Sequence, residues 1–229
     1  MKLTEVAALL RPEPIALETG FERHDDGVLH VAVRTDMRSC TGEMFEWWFR
    51  SRPDTERYIW WHPRDHISSV WGGDLADGTH IGSEHFAVEE LTGLPAQEVV
   101  VQFRPAEEFF DAAAFADARG RGAVSSAVVG RLGVGHPPAR SAAGDVLGGR
   151  LLHVGRDTSW GLVMRSHFFL GTDLPDLGMT PDEVAAIAPD VLARALLQHA
   201  YNEFTFLARF LPSLYVGANR DHLEVDLPW

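Results

Sequence analysis

Three short segments of this sequence carry residues whose types and spacing could do chemistry. The first is His199 and Glu203 in HAYNEF: on a helix, His-x-x-x-Glu puts an imidazole and a carboxylate one turn apart on one face, a workable pair of ligands for zinc. At about 100° per residue, Leu192, Ala195, Phe206 and Phe210 fall within about 40° of His199, so both polar residues sit in the middle of an apolar face. A carboxylate buried there needs a cation, a hydrogen-bond network or a metal beside it. Taken alone, an HxxxE pair is also satisfied by a mutual hydrogen bond.

The second segment is RYIWWHPRDH, Arg57 to His66, in which Tyr58, His62, Asp65 and His66 stand among aromatic residues. Pro63 breaks any continuous helix between the two histidines, so they need not face the same way, and composition does not choose between them. The third is HFAVEELTG, His85 to Gly93. Strand alternation puts Phe86, Val88 and Glu90 on one side and His85, Ala87 and Glu89 on the other. The more apolar side carries Glu90, which is the expected inward carboxylate. A bulge before Gly93 would exchange it for Glu89.

The elements that must position these groups can be read from pattern. A helix is expected near Thr4 to Leu10, a strand over Val28 to Thr35 and a short helix over Gly42 to Ser51. Strand-like runs follow at Tyr58 to Trp61, Ser83 to Leu91, Glu98 to Arg104, Ala123 to Leu132, Arg150 to Gly155 and Trp160 to Leu170, separated by Gly, Pro or Asp. Thr180, Pro181 and Glu183 form a capping box with proline at the first helical position, Pro189 divides the pattern, and a long helix should run from Asp190 to about Leu211, where Pro212 stops it. Many short strands followed by one long helix predict an α+β domain of the helix-grip type, a curved antiparallel sheet wrapped around the C-terminal helix and enclosing a cavity. One domain over residues 1–229 is expected, with a short helical extension over about 1–20.

A chain of 229 residues with 45% hydrophobic content is long enough for one well-buried core. The formal net charge of −13 argues against nucleic acid as a partner, since such binding rests on clustered Lys and Arg. The single cysteine, Cys40, makes no internal disulfide and is read as a small thiol in a reducing compartment. The N-terminus lacks the uninterrupted apolar run of a signal peptide, and no apolar stretch reaches the roughly 18 residues of a membrane span. A soluble, cytoplasmic protein is expected, and a homodimer is an assembly the sequence allows. Seven tryptophans and thirteen phenylalanines suit a pocket for an aromatic ligand, with Trp48 and Trp60 as candidates for its wall. The Gly130, Gly133, Gly135 cluster lacks the strand-turn-helix setting of a phosphate loop, and Asp74, Asp77 and His80 read as a solvated hairpin.

Several blocks, in order, carry a resemblance: GEMFEWWF at 42–49, RYIWWHPRDH at 57–66, VEELTG at 88–93, MRSHFFLG at 164–171 and HAYNEFTFLARFLPSLY at 199–215. Together the chain resembles the metal-dependent hydrolases that remove acyl groups from phloroglucinol-type compounds, the diacetylphloroglucinol and phloretin hydrolases. That family binds zinc through two histidines and two glutamates, and the resemblance places the ligands on His66, Glu90, His199 and Glu203. It also implies that Tyr58 hydrogen-bonds a phenolic oxygen of the substrate. The fold it implies is again helix-grip. Departures from the family are a short N-terminal region, His167 where an arginine is expected, and a shortened segment between His66 and Glu90.

The implied chemistry is hydrolysis of a carbon–carbon bond between an acyl group and an aromatic or 1,3-diketone carbon. Two imidazoles and two carboxylates neutralise a 2+ ion, which orients water and stabilises an oxyanion. The departing carbon must delocalise charge onto neighbouring oxygens and then take a proton, for which His153 and His167 are candidates. Two rivals remain: a carrier of a hydrophobic aromatic metabolite in which His199 and Glu203 are structural contacts, and a zinc enzyme of another reaction type, a cyclase or esterase.

Overall fold

The computed structural model describes residues 1–223. In chain order its regular elements are β1 (Gly20–Arg23), β2 (Leu29–Arg38), α1 (Gly42–Arg50), α2 (Thr55–Trp61), β3 (His66–Gly73), β4 (Ser83–Glu89), β5 (Gln97–Arg104), α3 (Ala112–Gly120), β6 (Ser126–Val134), β7 (Gly149–Thr158), β8 (Gly161–Leu170), α4 (Pro181–Ile187), α5 (Asp190–Leu207) and α6 (Leu211–Asn219), preceded by a 3-10 helix over Leu3–Leu10. The eight strands form one antiparallel, open sheet in the order β1-β2-β8-β7-β6-β5-β4-β3. The architecture is α+β, with the long helix on one face of a curved sheet.

Helix α5 rests on the β2 end of the sheet. Leu29, Val31 and Val33 pack against Ala193, Ala195, Leu196 and Ala200, and the run of alanines lets the helix axis come close to the strands. The other face is covered by the N-terminal 3-10 helix: Val6, Leu9 and Leu10 join Phe110, Ala118, Leu152, Val154 and Phe169 in a second cluster. With both faces covered, the central strands β7 and β8 are buried on alternate residues of either parity.

Several elements depart from the expectations. Tyr58 to Trp61 is helical, because Asp54 accepts a hydrogen bond from the Arg57 N–H and caps α2. The edge strands β1 and β3, and helix α3, carry too little periodic apolar pattern to be foreseen. At the C-terminal end α5 stops at Leu207, and Pro212 opens α6 within its first turn, where no N–H is required. The capping box of Thr180 and Glu183 and the break at Pro189 are present. Because α2 carries Tyr58 and leads into β3, its cap matters beyond local structure. Asp54→Ala should lower unfolding free energy by about 1 kcal/mol, measured by urea denaturation.

Candidate active site

Strand parity decides which residues meet at the site. His66 on β3 lies directly across from Glu89 on β4, and the register then slips between His66 and Ser68. The extra residue, Ile67, turns outward and is 44% exposed, so His66 shares the inner face with buried Ser69 although an even spacing would have set it beside exposed Val70. On β4 the inner face is His85, Ala87 and Glu89. His85 and Ala87 are buried there, while Phe86 points to the reverse side against the His136 ring. Glu90 follows the end of the strand and is exposed, its N–H donating to the Asp65 carbonyl at 2.7 Å. The expectation for Glu90 is therefore corrected: the carboxylate aimed into the protein is Glu89. The more polar side of β4 faces inward because its polar groups belong to the site.

His199 and Glu203 reach the same place from the buried side of α5. The His199 Nε2 is 3.7 Å from Glu89 Oε2 and 4.0 Å from Glu203 Oε2, and the His66 Nε2 is 3.9 Å from Glu203 Oε2. These separations exceed by a few tenths the edge of roughly 3.4 Å that tetrahedral zinc imposes on N and O ligands. One ligand atom each from His66, Glu89 and His199 lies within 4.8 Å of the others.

Hydrogen bonds to the far side of each ring fix which nitrogen is free. His66 Nδ1 lies 2.8 Å from the Tyr58 carbonyl, an acceptor only, so it carries the proton and Nε2 keeps its lone pair. That Nε2 is buried and has no hydrogen-bond partner among the described residues. His199 Nδ1 donates to Asp65 Oδ2 at 3.0 Å, which likewise turns Nε2 toward the two glutamates. Asp65 is itself held by the Thr92 N–H and hydroxyl at 3.3 and 3.2 Å. His62 differs from His66: its Nδ1 accepts from the Asp65 N–H at 3.1 Å and its ring stacks on His199 at 4.8 Å, behind the cluster.

The electrostatics call for a cation. Burial, with Glu89 and Asp65 nearby, pushes Glu203 up to about 8 despite the opposing pull of His199. Burial alone would lower His199, yet Glu89, Asp65 and Glu203 together hold it up at about 9. Burial keeps His66 well below the usual histidine range, hence neutral and able to ligate. Carboxylates crowded in a dry pocket beside a partnerless imidazole nitrogen match what a divalent ion would relieve.

Tyr58 lies against this cluster. Its ring stacks on His66 with centroids 3.6 Å apart, and its hydroxyl donates to Glu89 Oε2 at 2.9 Å. Burial and the adjacent carboxylates drive its pKa well above the usual phenol value, so it stays protonated. The cluster closes one end of a cavity of about 460 Å³ whose wall is otherwise mainly apolar, including Val99, Val101, Phe103, Leu151, Phe168 and Leu196.

The aromatic and proton-donor expectations divide. Trp48 is fully buried in the core against Trp61 and Phe210, and Trp60 is 47% exposed, so neither borders the cavity. Tyr58 and Trp61, three apart on α2, form its buried side and both line the cavity. Both assignments to Trp48 and Trp60 are replaced by Trp61. His153 opens on the cavity, its Nδ1 2.8 Å from Ser166 Oγ. His167 points to the opposite face of the sheet, where its Nδ1 meets His30 Nε2 at 2.9 Å, and it is corrected as a candidate for chemistry in this cavity. Asp65, which orients His199, Glu89 and Trp61 are residues of the candidate site that the sequence did not assign.

The DAPG hydrolase PhiG domain family matches residues 1–216. Among similar curated proteins, a 2,4-diacetylphloroglucinol hydrolase of Pseudomonas protegens is 24% identical over 93% of this chain and 72% of its own length. The phloretin hydrolase of Eubacterium ramulus is 25% identical over 86% of this chain and 70% of its own length. Among solved structures, protein Ms6760 from Mycobacterium smegmatis matches 86% of this chain and 98% of its own with a TM-score of 0.47 and 8% identity.

Proposed function

Because the chain belongs to the DAPG hydrolase family and is an enzyme of that class, we propose that it hydrolyses the carbon–carbon bond between an acyl group and an electron-rich aromatic or 1,3-diketone carbon, with zinc held by His66, Glu89, His199 and Glu203. The observation that carries this reading is the convergence of the His66 and His199 Nε2 atoms and the Glu89 and Glu203 carboxylates beside an apolar cavity. Zinc bound there supplies Lewis acidity toward water and the acyl carbonyl. In this reading the sheet and α5 form a helix-grip.

The chain's own groups do the remaining work. Asp65 holds His199 in one tautomer and orientation. The apolar wall excludes bulk water and takes the aromatic ring of the substrate, with Trp61 beside Tyr58. Turning its single hydroxyl proton from Glu89 to a phenolic or enol oxygen, Tyr58 stabilises charge as the ring carbon departs. Net reaction adds hydroxide to the acyl carbon, giving a carboxylic acid, and a proton to the ring carbon. Tyr58, His85 and His153 are the titratable side chains of the wall besides the proposed ligands. Burial holds His153 neutral, down to about 3, so it serves as a hydrogen-bonding relay and not as a store of positive charge.

The test is incubation of the purified protein with acylphloroglucinols and simple 1,3-diketones, with mass analysis of products and metal analysis of the protein. Loss of an acyl group as a free acid, together with bound zinc, is expected. Ring closure or ester cleavage alone would assign another reaction to the site. Unchanged compounds recovered bound to a metal-free protein would make it a carrier. Among the described residues no helix is long and apolar enough to cross a membrane.

A further inference from the structure

We propose that the β1–β2 hairpin carries a second divalent-metal site, formed by Glu22, His24 and His30 on the face of the sheet turned away from the cavity. The register makes the geometry. Glu22 and His30 are direct cross-strand partners, so their side chains rise on the same face, and His24, two residues beyond Glu22, returns to that face at the hairpin turn. Glu22 Oε1 is 3.1 Å from His30 Nδ1 and 3.5 Å from His24 Nε2, and one donor atom from each residue lies within 4.8 Å of the other two.

Independent features point to a ligand. His24 Nε2 is buried and without a hydrogen-bond partner among the described residues, although its side chain is only 11% exposed and directed at Glu22. His30 is fully buried, and its remaining nitrogen is committed to His167 Nδ1 at 2.9 Å. With the shared proton on His30 Nε2, His30 Nδ1 presents a lone pair toward Glu22, the arrangement in which an outer partner orients a metal-bound imidazole. Burial keeps both rings in the neutral form that ligates. Two imidazoles and one carboxylate, with Glu22 partly open to solvent, suit zinc or cobalt with an exchangeable fourth position. The Met1 amino group contacts Glu22 and lies 3.3 Å from His30 Nδ1. As an ammonium it competes for the carboxylate.

The site stands apart from the catalytic cluster, so the two can be counted separately. Chelator-stripped full-length protein is titrated with Zn²⁺ and, in parallel, with Co²⁺, whose absorption reports nitrogen and oxygen ligation, and bound metal is counted after gel filtration. Wild type should bind two equivalents, H199A one, H24A one and H199A/H24A none. The E22Q variant changes a partly exposed residue and protects the test against misfolding of H24A. It should weaken the hairpin site by at least about tenfold, since even outer-shell changes cost 10–100-fold. In the H199A background Zn²⁺ should raise Tm, and E22Q should abolish that rise. An N-terminally extended protein should keep the site. Metal counts and Tm responses unchanged by H24A and E22Q overturn the proposal, whatever the total, while a count lost only in H199A leaves the catalytic reading standing without it.

Discussion

Glu89→Gln should lower turnover on an acylphloroglucinol by about 10³-fold and strip most of the bound metal, whereas Glu90→Gln should leave both within about twofold. The first figure follows from the several kcal/mol of charge stabilisation that a metal contributes, at 1.36 kcal/mol per decade of rate. Glu89 is the carboxylate 3.7 Å from the His199 Nε2, and its amide would offer the site a weaker, uncharged donor. Glu90 is exposed at the strand end and engages Asp65 only through its backbone, which substitution keeps. His199→Ala should match Glu89→Gln. Asp65→Asn should cost less, about 10–100-fold in metal affinity, because it loosens the orientation of His199 without removing a ligand. Metal content after dialysis and steady-state rates measured on the same preparations decide the matter. Equal losses in the Glu89 and Glu90 variants would mean that the bulge at Ile67 does not set the inner face in solution.

How much of this was legible beforehand depended on whether a feature is local. The buried stripe of α5 and the capping box at Thr180 are set by residues within two turns of each other, and periodicity exposed both. The neighbouring carboxylates Glu89 and Glu90 could not be told apart by pattern. Their faces depend on what β4 pairs with, and the one-residue slip opposite Glu89 lies on β3, a strand whose Ser-rich and Gly-rich run gives no alternation to read. The same limit explains His153 and His167. Strands β7 and β8 are covered on both sides, so hydrophobicity carries no parity, and only the pairing of His153 with Ser166 and of Leu152 with His167 reveals which histidine meets the cavity. Trp60 and Trp61 were exchanged for a simpler reason: read as a strand, the segment assigns alternate faces, while the helix capped by Asp54 buries residues three apart.

A steep loss of stability between pH 6.5 and 4 is expected from buried histidines held neutral by desolvation. His85 and His153 are buried, each held down to about 3 by desolvation, with Ser69 and Ser166 as their hydroxyl partners at 2.8 Å. In the unfolded chain both rings titrate near 6.5. Because the folded values are depressed, the unfolded state binds the extra protons, so the contribution of each ring is complete above 6.5 and disappears as pH falls toward 3. At pH 5 the loss is about 2 kcal/mol per ring, or about 4 kcal/mol for the pair, a large part of the 5–15 kcal/mol of a typical domain. His30, similarly lowered to about 3, and His80, lowered to about 4, act in the same direction. Urea denaturation at pH 7.5 and at pH 5 should therefore show the midpoint dropping sharply. His153→Gln, which keeps a polar group for Ser166 but cannot take the proton, should flatten that dependence by about 2 kcal/mol over the interval even if it lowers stability at pH 7.5. An identical slope in wild type and variant would show that the ring reaches water in the native state and that the core around Phe45, Phe168 and Phe204 opens more readily than their close ring packing on His153 implies.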